Sequence, residues 1–189
     1  MKYFDLVKIF VDSAFKDKGK IDSSYHFEQT VYWLKQLNPE ADEAMLTAAY
    51  AHDIERAFRK ETDKDLLDKK FNDVFYTHYH PQEGAKIIRV FLEQQGAPKN
   101  FIDKTAHLIS GHELGGDDEQ NLVKDADSMS FLEDQDKIDG FIARAGIRGS
   151  ETIREKFDFM YNRLTSTKAR EIAKPMYEEV LAKLKGLGK

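Results

Sequence analysis

Apolar side chains recur at three- and four-residue spacing along most of the chain. Phe4, Leu6, Val7, Phe10, Val11 and Phe15 share one face of a helix over 3–16. "GKIDSS" breaks that pattern, and Ser23 or Ser24 is placed to cap a second helix running to about Leu37. "NPEADEAML" predicts a third helix, with Asn38 as its cap, Pro39 at the first position and acidic residues in the first turn. That helix continues into "LTAAYAHDIERAFRK", where Leu46, Ala49, Tyr50, Ile54 and Ala57 cover one broad side. Residues 61–79 are polar, with a possible short helix in "DKDLLDKKF". Pro81 then opens an amphipathic helix, "PQEGAKIIRVFLEQQG", which Gly96 closes. "PKNFIDKTAHLISGH" starts another, "GGDDEQ" reads as a turn, and "EQNLVKDADSMSFLEDQ" is again helical. Two more helices follow Ser150, with Pro175 marking a kink or a boundary. No alternating strand pattern, internal repeat or low-complexity tract interrupts this. The expectation is one all-α domain over 1–189, a helical bundle.

One feature of the pattern conflicts with a plain core. His52 and Asp53 stand back to back in the middle of an apolar helix, among small alanines. Burying a carboxylate costs several kcal/mol unless it is paired or bound to a metal. The chain has no cysteine, so disulfides and thiolate nucleophiles are excluded and any metal must sit on nitrogen and oxygen. The six histidines are His26, His52, His78, His80, His107 and His112. His26 falls in the first turn of the second helix and His52 near the end of the third. His80 immediately precedes the Pro81 helix, and His112 follows the helix that starts near Pro98. "KDADSMSF" adds Asp125 and Asp127. An all-α fold can bring such residues from separate helices to one interior point. Imidazole with carboxylate suits Mn, Fe, Co, Ni or Zn better than Mg. His78 and His107 read as ordinary core or surface residues. "DADS" does not continue as a calcium loop, because Ser130 stands where the sixth-position glycine belongs.

With 41% hydrophobic and 33% charged residues, the composition is that of a soluble globular chain. A net charge of −5 gives no general attraction to nucleic acid or anionic membranes. Lys2, Asp5, Lys8 and Asp12 interrupt the first apolar stretch, so it does not read as a signal peptide. No apolar run approaches the ~20 residues of a membrane span. The expected location is cytoplasmic. The sequence carries no sign of oligomeric state.

Read as H…HD…H…H…D, the order His26, His52-Asp53, His80, His112, Asp127 resembles the HD-domain superfamily of metal-dependent phosphohydrolases over most of the chain. "AAYAHDIER" is similar to that family's apolar helix ending in HD, with Arg56 where HD-GYP phosphodiesterases show the lysine of HDIGK. "HPQEGAKIIRVFL" looks like their HPxxGAxI segment. "KDADSMSFLE" is similar to the "ADRL" or "ADKL" segment whose aspartate closes the metal site; that match selects Asp127, with Asp125 as a nearby polar group. The tail "REKFDFMYNRLTSTKAREIAKPMYEEVLAKL" resembles the C-terminal helices of small bacterial HD hydrolases. The GYP segment is missing, and only "GHE" at His112-Glu113 stands where those enzymes have HHE, so a cyclic-dinucleotide phosphodiesterase is not indicated.

The resemblance implies an HD-type domain with a metal-site core over about 20–135 and C-terminal helices over about 150–187. It implies one or two divalent ions held by His26, His52, Asp53, His80, His112 and Asp127, and hydrolysis of a nucleotide or other small phosphoester. The metal would activate a water, which Asp53 orients, and Arg56 would hold the phosphate together with a tail lysine such as Lys168. Glu55 or Glu113 would assist proton transfer. His80 and His112 are ligands if two ions are present and pocket-lining residues if one is. Gly84, one turn after His80, would leave room for a neighbouring helix. Two alternatives stand beside this reading: an HD-fold di-iron oxygenase, whose ligand set resembles the same full series, and a non-catalytic metal-binding regulatory module.

Overall fold

A computed structural model describes residues 1–17, 23–59, 74–145 and 149–186. Its helices are α1 (Lys2–Asp17), α2 (Ser23–Leu37), α3 (Glu43–Ala51), α4 (Glu55–Phe58), α5 (Val74–Gln94), α6 (Lys99–Ser110), α7 (Asp118–Glu133), α8 (Gln135–Ala143), α9 (Ser150–Asn162) and α10 (Thr167–Gly186). No strand occurs among the described residues, and the chain is an all-α bundle. No helix is long and apolar enough to cross a membrane among these residues.

The bundle is organised around α3, whose residues from Ala44 to Ala51 are all buried. It packs against α1, α2, α6 and α7 at once. Ala48, Ala49 and Ala51 make this possible, since a small side chain lets a neighbouring helix approach on every side. Val7, Val11 and Phe15 cover α3 from one direction, and Phe27 and Leu34 from another. α9 and α10 pack against each other and against α7, so the C-terminal helices share a core with the rest. Each fully buried Leu, Ile, Val or Phe stabilises the fold by roughly 1.5–3 kcal/mol.

Several boundaries differ from the sequence expectation, each for a local reason. α3 starts at Glu43 rather than Pro39. Asn38 spends its side-chain oxygen on the Glu40 N–H at 3.1 Å, forming a turn, and Asp42 caps the helix by accepting from Met45 N at 2.9 Å. Ser23 is itself the first residue of α2 and so not its cap; the preceding residue lies outside the described ones. The possible helix in "DKDLLDKKF" also lies outside them.

Pro81 sits inside α5, not at its start. A proline there forfeits one helical hydrogen bond. The buried stripe of Thr77, His80, Pro81, Gly84, Ala85, Ile88 and Leu92 runs across it without a break, and that packing holds the helix together. Pro175 is likewise interior to α10 and marks no boundary. α8 is a separate short helix, started by Asp134, whose side chain accepts from Lys137 N at 2.9 Å. Gly96 does close α5: it has φ +67°, and the Ala97 N–H reaches back to Leu92 O at 3.0 Å.

Candidate metal centre

The His-Asp pair is not part of α3, as the sequence suggested, but of the turn that ends it. His52 keeps helical dihedrals, yet the bonds tighten to three-residue steps, from Ile54 N to Ala51 O at 3.0 Å and from Arg56 N to Asp53 O at 2.9 Å. His52 is 0% and Asp53 3% exposed. A β-carbon at Gly84 would lie 3.4 Å from the His52 carbonyl oxygen. A β-carbon would just fit there, so it is a small residue at 84 that lets α5 press against this turn, and His80, one turn earlier on the same face, comes with it. His26 arrives from α2, His112 from the turn after α6, and Asp127 from the middle of α7.

These six residues converge as two buried groups of three: His26, His52 and Asp127, and Asp53, His80 and His112. Asp127 Oδ1 lies 3.1 Å from His26 Nε2 and 3.4 Å from His52 Nε2. Asp53 Oδ1 lies 2.9 Å from His80 Nε2 and 3.9 Å from His112 Nε2. The other Asp53 oxygen is 3.6 Å from His52 Nε2 and 2.9 Å from the Arg56 guanidinium. Asp53 thus stands between the groups. Asp125 is not part of them: its oxygens accept from Thr165 N and Ser166 N, each at 2.8 Å.

All four rings are tethered through the same nitrogen. His52 Nδ1 donates to Ala49 O at 2.9 Å, His112 Nδ1 to Ile109 O at 2.8 Å, and His80 Nδ1 to the Glu55 carboxylate at 2.7 Å. His26 Nδ1 lies 2.8 Å from Ser130 Oγ. The Ser130 hydroxyl gives its proton to His26 O at 3.0 Å, so it must accept from the ring. Each Nδ1 is thereby held, which turns every Nε2 toward the carboxylates, with His80 Nε2 and Asp53 Oδ1 in hydrogen-bond contact at 2.9 Å. His52 Nε2 and His112 Nε2 are buried without a hydrogen-bond partner. Such atoms are costly unless a cation meets them. The donor set of nitrogen and carboxylate oxygen fits a divalent metal ion.

Burial keeps His26 and His112 neutral. Burial pushes His26 down to about 4, with the Lys137 charge adding to it. Burial, with His52 and His80 adding, pushes His112 down to about 3. For His52, burial opposes protonation, but Asp53 and Asp127 outweigh it and raise its pKa. Burial alone would also raise Asp53 and Asp127. Arg56, His52 and His80 hold Asp53 well below the usual carboxylate range, and Arg163, His52 and His26 do so for Asp127. At neutral pH the carboxylates are ionised and at least two of the imidazoles are neutral, as metal ligation requires.

Around the six lie residues that the sequence did not single out for this role. Arg163, which follows α9, ion-pairs with Asp127 and with Glu113. Arg59 reaches the same Glu55 oxygen that holds His80. Ser130, notable in the sequence only as the wrong residue for a calcium loop, tethers His26. Lys168 does not reach the centre. Its ammonium donates to Gln36 O at 2.6 Å, near the far end of α2, and that helix carries Gln36 roughly 15 Å along from His26. His107 is exposed and pairs with Asp117 at 2.6 Å, and His78 is also exposed.

No curated protein and no solved structure matches the sequence. A family model described as a domain of unknown function (DUF4202) matches residues 12–184, a span that takes in all six converging residues. The chain belongs to that family.

Proposed function

We propose that the protein is an HD-type, metal-dependent hydrolase of a small phosphoester, holding one or two ions of Mn, Fe, Co, Ni or Zn. The observation that carries this reading is the convergence of four tethered histidines, each with Nε2 turned inward, on Asp53 and Asp127. The mixed nitrogen and oxygen donors favour these metals. When bound, such ions lower the pKa of a coordinated water and offset negative charge on a phosphoryl group.

The surrounding charges support an anionic substrate. Arg56, Lys137, Lys156 and Arg163 interact electrostatically with Asp53, Asp127, Glu113 and Asp134. Four cations balance four carboxylates, so divalent ions leave the centre with an excess of positive charge. Arg56, its side chain 37% exposed, is open to solvent and placed to meet an arriving phosphoryl group. Glu55 is held by His80 and Arg59, and Glu113 by Arg163. These partners favour positioning roles over proton transfer for both.

The two groups of three would also suit a di-iron oxygenase, since Asp53 lies between them. Elemental analysis of protein purified without added metal, beside a screen of phosphorylated metabolites with Mn²⁺, separates the readings. A colourless protein that hydrolyses a phosphoester supports the proposal. Coloured, iron-loaded protein without phosphoester turnover supports the oxygenase. Metal uptake without either activity favours a binding module.

A further inference from the structure

We propose that Arg163 is a positioning residue of the metal centre: it holds one oxygen of Asp127 away from the ion, so that Asp127 offers Oδ1 alone. The inference rests on the metal reading above. Arg163 is 7% exposed and spends its donors in three directions. Nε donates to Ser128 Oγ at 2.7 Å, and one terminal nitrogen donates to the Glu113 carboxylate at 2.6 Å and to Glu113 O at 3.3 Å. The other terminal nitrogen holds Asp127 Oδ2. Ser128 gives its own hydroxyl proton to Lys124 O at 2.9 Å, so it can only accept from Arg163.

The consequence lies in how the two oxygens of Asp127 are divided. Oδ2 faces the guanidinium, while Oδ1 faces His26 and His52. Turning the carboxylate to give both oxygens to an ion would break a charge-assisted hydrogen bond in a buried setting. The first group would therefore offer one donor atom from each residue and leave positions for Asp53, water or substrate, as catalytic sites do and closed structural sites do not. Through Glu113, the neighbour of His112, the same guanidinium also fixes the approach of the second group. A lysine would keep the charge but lacks the fork that spans three partners.

Cobalt(II) titration of the chelated full-length protein, read by visible absorption, tests this without relying on turnover. The wild type is expected to take up cobalt and to show its characteristic bands. Arg163→Met is expected to shift the cobalt Kd by 10–100-fold and to weaken the absorption per bound ion, as a second Asp127 oxygen raises the coordination number. Arg163→Lys, which keeps the buried charge, is read in the same way and covers the case in which Arg163→Met does not fold. A folded variant of either kind with the wild-type spectrum and Kd overturns the role of Arg163. Failure of the wild type to take up cobalt overturns the metal reading itself.

Discussion

Glu55 meets Nδ1 of His80 at 2.7 Å, on the side of the ring away from Asp53. The contact fixes the ring's orientation and turns Nε2 toward the centre. A ligand's outer partner commonly contributes 10–100-fold to metal affinity. Glu55→Gln is therefore expected to weaken Mn²⁺ binding by that factor while the helical circular dichroism stays unchanged. Equal affinity in variant and wild type would show that the tether does not matter.

Asp53→Ala should abolish phosphoester turnover and lower metal occupancy. The helical fold should survive, but the metal-free variant should melt below the metal-free wild type, because Arg56 and His80 lose the buried carboxylate that pairs with them. Calorimetry with elemental analysis checks both halves, and wild-type turnover by the variant contradicts the catalytic role.

Gly84 faces the His52 carbonyl and the Ile109 side chain, at 3.4 and 3.5 Å from where a β-carbon would stand. Gly84→Ala should be nearly neutral, since gained helix propensity offsets the tight fit. Gly84→Leu has no room and should cost about 1–3 kcal/mol by overpacking, with weakened metal binding as α5 moves off the turn. Denaturant unfolding measures the cost. Equal stability of the leucine variant would mean that α5 does not press on this turn.

Acid should destabilise the metal-free protein well before the carboxylates titrate. His26 and His112 are held at about 4 and about 3 when folded, against about 6.5 when unfolded. As pH falls below 6.5 the unfolded chain takes up these protons and the folded chain does not, so stability drops. The loss continues until the folded values are reached. His52, raised in the fold, works against this but is one residue against two. The denaturant midpoint of chelated protein should fall between pH 7 and pH 5, and His112→Gln should flatten the slope. A midpoint independent of pH in that window contradicts the neutral burial of these rings.

Residue spacing revealed much of this architecture and hid a specific part of it. The stripe Val7, Val11, Phe15 announces α1 because a core-facing helix must repeat its apolar positions. The order of the residues that converge, from His26 to Asp127, was readable because separated helices each contribute a recognisable fragment. Pro81 and Asn38 misled because local preference was overridden by packing along α5 and by the Asp42 cap. Arg163 and Ser130 left no signal, since a residue that holds another side chain from behind obeys no sequence spacing. Lys168 was the tail cation the sequence offered, and the packing of α9 and α10 on α7 brings Arg163 to the centre instead.

Anomalous diffraction from crystals grown with Mn²⁺ tests the central claim most directly. The expected result is a peak within about 2.0–2.3 Å of His26 Nε2, His52 Nε2 and Asp127 Oδ1. A second peak at Asp53, His80 and His112, about 3.5–4 Å from the first, would establish the two-ion form. Well-ordered crystals with no anomalous peak among these six side chains would contradict the assignment of this cluster as a metal centre.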